Sequence, residues 1–153
     1  AKRAPDHEAL IFPGTRLTYQ QLAERAWQIA SSLVAMGVEP GQHVGYLMTN
    51  NPDIVATFFG ISMTGATVVP INARYRSVEL QAIVEDADLA ALLTHDSADE
   101  YVDFTELIAT AIPDGANTFV TADCAIEVTA APKDDVQGMI DGYLTVTQVP
   151  LDL

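Results

Sequence analysis

The spacing of hydrophobic residues changes several times along the chain, and each change predicts an element. Residues 9–18 have the pattern of two short strands around a Pro-Gly turn. After Thr18, apolar residues recur at helical spacing, namely Leu22, Ala26, Ile29, Leu33 and Met36. Gly37 follows them and suits the end of a helix. Gln21 follows Thr18 by three positions, so the sequence also predicts a capping box at the start of this helix.

A strand and a second helix follow in residues 43–65. Residues 43–48 form an apolar run after a turn at 39–41, which predicts a buried strand. Asn51 is a good N-cap, and Pro52 suits the first helical position. The helix that they begin carries apolar residues on most sides and ends at Gly65, so we expect it to be largely covered.

The alternation of strand and helix continues through a strand at 66–71, a helix at 77–87 and a strand at 89–94. This order predicts an α/β fold with a mainly parallel sheet and helices on both faces. We expect one more helix that contains LIATAI, with acidic residues in its first turn, and one more strand in NTFVTA. We therefore divide the chain into an α/β unit, residues 1–121, and a β-prone segment, residues 122–153, whose place in the sheet the pattern does not give.

Charge and composition exclude several classes of partner. The chain has 153 residues and a formal charge of −14, so its surface repels nucleic acid and anionic lipid headgroups. The sequence has neither an apolar run of the roughly 20 residues that a membrane span needs nor a secretory signal. Its single cysteine, Cys124, agrees with a reducing compartment. We expect a cytoplasmic protein.

The sequence offers no catalytic residue and no metal ligand set. It contains neither a phosphate-binding G-x-x-x-x-G-K-[ST] loop nor a dinucleotide G-x-G-x-x-G motif. The three histidines are scattered singly, and we interpret His43, at the start of a buried strand, as structural. Cys124 is interpreted as a small core residue. A pair formed by Cys124 and His95 stays open as the alternative.

Two arginines in the loop at 72–77 are the main candidates for binding. Arg74 and Arg76 follow a predicted strand of an otherwise acidic chain, at the edge where open parallel sheets bind ligands. Guanidinium groups there could bind phosphate or carboxylate. The alternative is an exposed turn in which the arginines pair with Glu79, Glu85 or a neighbouring domain.

Residues 9–95 resemble the N-terminal region of the adenylate-forming enzymes, which include acyl-CoA synthetases, firefly luciferase and the adenylation domains of peptide synthetases. The resemblance rests on motifs in a fixed order. They are LTYQQL at a helix start, GVEPGQHVG, a helix after NNP, GATVVPIN and RSVELQAIVEDADLAALLT. The stretch PINARYRSVEL is more similar to acyl-CoA synthetases, since peptide-synthetase domains usually carry an aspartate and a second proline there.

The resemblance implies an AMP-forming ligase that activates a fatty or related carboxylic acid through acyl-AMP to acyl-CoA. It implies ATP, magnesium and CoA as cofactors. In some acyl-CoA synthetases the corresponding loop lies near the nucleotide end of CoA. By that similarity Asn72, Ala73, Arg74, Tyr75 and Arg76 would line a CoA rim.

The chain lacks the family's Ser/Thr/Gly-rich phosphate loop and its catalytic lysine. We therefore expect an N-terminal subdomain that is inactive alone, whose partners are the remaining domains of a longer parent enzyme and a small carboxylic acid. Two alternatives remain. One is a truncated, non-catalytic homologue that acts as a binding or dimerisation module, for example as a homodimer. The other is part of a peptide-synthetase adenylation domain.

Overall fold

The computed structural model describes residues 2–96, 102–112, 118–122, 126–128 and 144–147. Within these ranges eight strands and four helices follow one another. They are β1 (Glu8–Phe12), β2 (Thr15–Thr18), α1 (Tyr19–Ala35), β3 (His43–Leu47), α2 (Pro52–Met63), β4 (Thr67–Ile71), α3 (Ser77–Asp86), β5 (Leu89–Asp96), α4 (Phe104–Ala111), β6 (Thr118–Ala122), β7 (Ile126–Val128) and β8 (Leu144–Thr147).

Local signals in the sequence set the ends of the helices. The predicted capping box of α1 is confirmed: Thr18 Oγ1 accepts from Gln21 N at 3.2 Å, and Gln21 Oε1 accepts from Thr18 N at 2.9 Å. Gly37 follows α1 with φ of 89°, and Gly65 follows α2 with φ of 81°. Such left-handed residues end helices, and glycine adopts them without steric cost.

The main sheet has six strands in the order β4-β3-β5-β6-β8-β7, and β1 and β2 form a separate antiparallel hairpin. The pairs β3–β4, β3–β5 and β5–β6 are parallel, whereas β6–β8 is antiparallel. The short strands β7 and β8, both within the segment 122–153, therefore join the same sheet.

Helices cover both faces of this sheet, as predicted. On one face α1 and α2 pack against a buried cluster that includes Val44, Met48, Ala91 and Leu93. On the other face α3 and α4 pack against Leu47, Ile71 and Leu92. Neighbouring strand residues alternate between the two clusters, as the pleat of a β-strand requires. The mainly parallel α/β fold is confirmed.

The expectation that α2 is largely covered is wrong. Phe58, Phe59 and Met63 are 43 %, 47 % and 54 % exposed. The helix buries the face that carries Ala56, Gly60 and Ile61 against α1 and the sheet. The described part of the chain leaves the opposite face open, because apolar composition marks what a helix could bury and not what is present to bury it.

His43 has the structural role that its position predicted. Its Nδ1 lies 2.6 Å from the carbonyl oxygen of Ala87, so it ties the start of β3 to the turn between α3 and β5.

Among the described residues, no helix combines the length and hydropathy that a bilayer span requires.

Candidate functional site

The carboxyl ends of β3, β4 and β5 lie along one edge of the sheet, because these three strands are parallel. Two short loops leave this edge toward helix N-termini: residues 48–51 lead to α2, and residues 72–76 lead to α3. Open α/β sheets bind ligands outside the carboxyl ends of their strands. This edge is therefore the candidate functional site.

The strand order places a topological switch point between β3 and β5. From β3 the chain crosses through α2 to β4 on one side, and from β4 it crosses through α3 to β5 on the other side of β3. The two crossover helices lie on opposite faces of the sheet, and open α/β sheets bind ligands in the crevice outside the strand ends at such a point. Residues 48–51 and the end of β5 border the switch point.

The loop at 72–76 is held by its own backbone contacts. Asn72 accepts twice: its side-chain Oδ1 from Arg74 N, and its carbonyl oxygen from Tyr75 N, each at 3.0 Å. Glu79 Oε2 accepts from Arg76 N at 3.0 Å, which satisfies a backbone donor at the start of α3. The loop is thus a defined turn, with Ala73 and Tyr75 packed against the cluster below it.

Both arginines of this loop are exposed, and Tyr75 between them is half-buried. The sequence left open a pairing with Glu79 or Glu85. In the structure Glu79 accepts from the Arg76 backbone, and Glu85 accepts from Gln81 Nε2 at 2.8 Å. Within the described ranges neither guanidinium of Arg74 or Arg76 forms an ion pair. The structure thus presents two cations, two residues apart, in the loop that follows the carboxyl end of β4.

Two residues at the switch point were not predicted as site residues. Asn51 was predicted as the N-cap of α2, and it is: its Oδ1 accepts from Asp53 N at 2.8 Å and from Ile54 N at 3.0 Å. Its Nδ2, however, is buried with no hydrogen-bond partner among the described residues. His95, near the end of β5, has a buried Nδ1 in the same condition.

His95 could be weighed from the sequence only against Cys124, which lies outside the described residues. No local sequence pattern indicates that His95 lies at the switch point, because its position there depends on the order of the strands in the sheet. Asn51 gave a strong signal, but that signal pointed to capping. Both residues needed the strand order before a binding role could be considered.

A family model described as AMP-binding enzyme matches residues 1–141 of the chain. The chain belongs to the AMP-binding enzyme family. The resemblance found in the motifs is thereby confirmed, and so is the assignment to the adenylate-forming enzymes.

Relatives of this AMP-binding chain include both peptide synthetases and CoA ligases. The phosphinothricin tripeptide synthetase PhsC of Streptomyces viridochromogenes is 35 % identical over 97 residues, which is 63 % of the chain and 9 % of that protein. The medium/long-chain-fatty-acid--CoA/3-oxocholest-4-en-26-oate--CoA ligase of Mycobacterium marinum is 34 % identical over 113 residues. That match covers 74 % of the chain and 20 % of the ligase.

The anthranilate CoA ligase AuaEII, solved in complex with anthranoyl-AMP, has a similar fold. Its TM-score is 0.67 at 29 % identity, and the match covers 77 % of this chain and 22 % of that one. The AMP-binding chain thus spans about a fifth or less of the length of these relatives. Their activities belong to proteins much longer than 153 residues.

Proposed function

We propose that this chain is the N-terminal subdomain of an ATP-dependent, AMP-forming acid–thiol ligase, called the parent enzyme below. Its carboxylic acid substrate, a fatty or related acid, attacks the α-phosphate of ATP to give acyl-AMP and pyrophosphate. The thiol of CoA then displaces AMP. Membership of the AMP-binding family supports the first step, and the similarity to CoA ligases supports the second.

The role that we assign to the described residues is to bind CoA. The observation that carries it is the loop at 72–76, where two exposed guanidinium groups without an ion-pair partner in the described ranges stand on a fixed turn. One guanidinium group can donate to two phosphate oxygens at once, and CoA carries phosphates at its nucleotide end. Asn72 and Tyr75 hold the loop in place, while Arg74 and Arg76 make the contacts.

The other parts of the reaction fall to the rest of the parent enzyme. The sequence has neither a phosphate-binding P-loop nor a lysine in a glycine-rich context. We therefore propose that residues 1–121 form the subdomain, that residues 122–153 lead toward the phosphate loop, and that the chain alone makes no acyl-AMP. Magnesium accompanies the nucleotide in this family. The described residues bring together no group of three His, Cys, Asp or Glu that fits a metal, so we place no step of the reaction on a metal here.

The test is a kinetic split in the parent enzyme. Replacing both arginines, Arg74→Ala with Arg76→Ala, should raise the KM for CoA about tenfold, because charge-assisted contacts to phosphate are lost. Acyl-AMP formation, measured as carboxylate-dependent exchange of pyrophosphate into ATP, should be unchanged. Arg74→Lys with Arg76→Lys should restore part of the CoA affinity, since charge returns without the bidentate fork.

Arg16→Ala is the matched control. Arg16 is also an exposed arginine, but it lies in the β1–β2 hairpin and pairs with Glu8 at 2.6 Å. Its loss should leave the KM for CoA unchanged. If the double variant at 74 and 76 keeps the CoA kinetics of the wild type, the loop has a structural role alone. If the parent enzyme makes no acyl-AMP from any carboxylic acid, the ligase assignment itself is wrong.

A peptide-synthetase adenylation domain is the second candidate, and the identity to the phosphinothricin tripeptide synthetase favours it. Such a parent would activate an amino acid, and CoA would not accelerate the release of AMP. Exchange assays with amino acids and fatty acids, each with and without CoA, separate the two candidates.

The exposed Phe58, Phe59 and Met63 favour the third candidate, a non-catalytic dimerisation module. A monomer at high concentration in sedimentation experiments would exclude it.

A further inference from the structure

Two buried and unsatisfied polar groups flank the switch point. Asn51 and His95 each retain 9 % exposure, yet Asn51 Nδ2 and His95 Nδ1 are buried with no hydrogen-bond partner in the described part of the chain. A buried polar group without a hydrogen bond is destabilising, because it has lost its contacts with water and nothing replaces them. Two such groups at one end of a sheet therefore need an explanation, which a bound ligand would provide.

The register of the sheet places His95 on the side of α2. Leu47, the last residue of β3, is paired with Thr94, so His95 is level with Met48, the first residue of the loop to α2. By the alternation of the strand, His95 shares its face with Leu93, which packs in the same cluster as Met48 and α2 residues. Asn51 begins α2 on that face, three residues beyond Met48. Both residues thus lie at the same end of the sheet, on the face that α2 covers.

The donor chemistry at this end of the sheet fits an acceptor oxygen. The amide Nδ2 of Asn51 can only donate, and the imidazole Nδ1 of His95 donates in one of its neutral tautomers and in its cationic form. The N-terminus of α2 adds a partial positive charge. Asp53, the acidic residue of that first turn, is offset by Arg25, whose Nη1 lies 3.0 Å from its Oδ1. With this pair formed, the acidic side chain of the first turn of α2 is compensated.

We propose that the crevice between residues 48–51 and the end of β5 binds the oxyanion of a small molecule, a phosphate or a carboxylate. Asn51 Nδ2 and His95 Nδ1 donate to its oxygens, while Asn51 Oδ1 keeps its capping contacts. This site is distinct from the loop at 72–76, which leaves the edge strand β4. It does not depend on the proposed ligase activity.

The experiment titrates the 153-residue chain with inorganic phosphate and, separately, with acetate, and follows the side-chain nitrogens of Asn51 and His95 by NMR. A saturable shift of both side chains is expected. Phosphate and acetate are separate arms, and the tighter binder identifies the class of oxyanion. Shifts that are absent or non-saturable with both probes overturn the proposal, and this outcome needs no variant.

Asn51→Asp is the most informative variant. Aspartate keeps the oxygen that caps α2 and so preserves the helix, but it replaces the donor by a second oxygen and repels an anion. Affinity should fall tenfold or more, and His95→Gln should weaken binding at unchanged helix content. Binding that survives Asn51→Asp in a folded chain overturns the proposal.

Two controls separate this site from others. Thr57→Val removes another buried, unsatisfied group of α2, six positions beyond Asn51, and should leave oxyanion binding unchanged. Arg74→Ala with Arg76→Ala should leave the shifts of the Asn51 and His95 side chains unchanged. If this double variant abolishes the shifts while Asn51→Asp does not, the anion binds at the loop at 72–76 and the proposal is wrong. Because this test contains no ATP or CoA, its failure would leave the ligase assignment standing.

Discussion

Gly60 of α2 lies against Ile29 of α1 so closely that a Cβ on Gly60 would come within 2.7 Å of both Cβ and Cγ2 of Ile29. The same atom would lie 2.9 Å from the carbonyl oxygen of Ala26. These neighbours are backbone or lie close to it, so they cannot move aside as the end of a flexible side chain could. The contact between the two helices therefore depends on a residue without a side chain.

Gly60→Ala should lower the free energy of unfolding by about 1–3 kcal/mol, because overpacking outweighs the roughly 1 kcal/mol by which alanine favours a helix. Urea unfolding followed by circular dichroism measures it. Ser62→Ala, at an exposed position of the same helix, is the control and should change stability by less than about 0.5 kcal/mol. A more stable Gly60→Ala protein would show that α1 and α2 can separate at little cost.

The ion pair between Arg25 and Asp53 should contribute more to stability than the pair between Arg16 and Glu8. The side chain of Asp53 is 7 % exposed and that of Arg25 is 28 % exposed, against 49 % and 63 % for Glu8 and Arg16. Arg25→Met should cost about 1–3 kcal/mol, since it leaves a buried carboxylate without this cation. Arg16→Met should cost less than about 1 kcal/mol.

A double-mutant cycle with Arg25→Met and Asp53→Asn tests the same pair directly. The coupling energy should fall between about 0.5 and 3 kcal/mol. Additive effects of the two substitutions would show that each residue acts through other contacts, and they would contradict the prediction.

Two buried threonines should respond in opposite ways to replacement by valine. Thr57 Oγ1 has no hydrogen-bond partner in the described part of the chain, so Thr57→Val should raise the free energy of unfolding by about 1 kcal/mol. Thr94 Oγ1 donates to the carbonyl oxygen of Leu47 at 2.7 Å, so Thr94→Val should lower it by about 1–2 kcal/mol. Thermal unfolding of both variants provides the comparison, and a change of the same sign in both would contradict it.

Tyr46 should make stability depend on pH in the alkaline range. Burial raises the pKa of its phenol above the ordinary value of 10.0, because burial disfavours the charged form. A raised pKa stabilises the folded state below the unfolded pKa, and this contribution is lost as the pH rises through the folded pKa. Between about pH 9 and 11 the wild type should therefore lose more stability than Tyr46→Phe does. Parallel stability curves for the two proteins would exclude this role of Tyr46.

Helix ends and strand order differed in how far the sequence determined them. Thr18, Gln21 and Asn51 act on backbone groups two or three residues away, so their spacing alone predicted their hydrogen bonds. The parallel α/β arrangement followed from the alternation of strand and helix. The place of β5 beside β3 did not follow from any local pattern, because several strand orders satisfy the same alternation.

The candidate site was only partly predicted, because some of its residues come together through the strand order. Arg74 and Arg76 stand out in an acidic chain and follow a strand, so the sequence identified their loop. Asn51 and His95 are 44 positions apart in sequence, and they share an edge because β3 and β5 are neighbours. The exposure of Phe58 and Phe59 was missed because it depends on the tertiary packing around α2.

Pro70 limits strand pairing at one edge of the sheet. It lies in β4, which ends the described sheet, and it is paired across from Tyr46. A proline has no N–H, so it is accepted in a strand where that missing donor faces away from the neighbour. The outer side of β4 therefore presents an interrupted row of donors to any incoming strand. On this side the sheet therefore resists edge-to-edge aggregation.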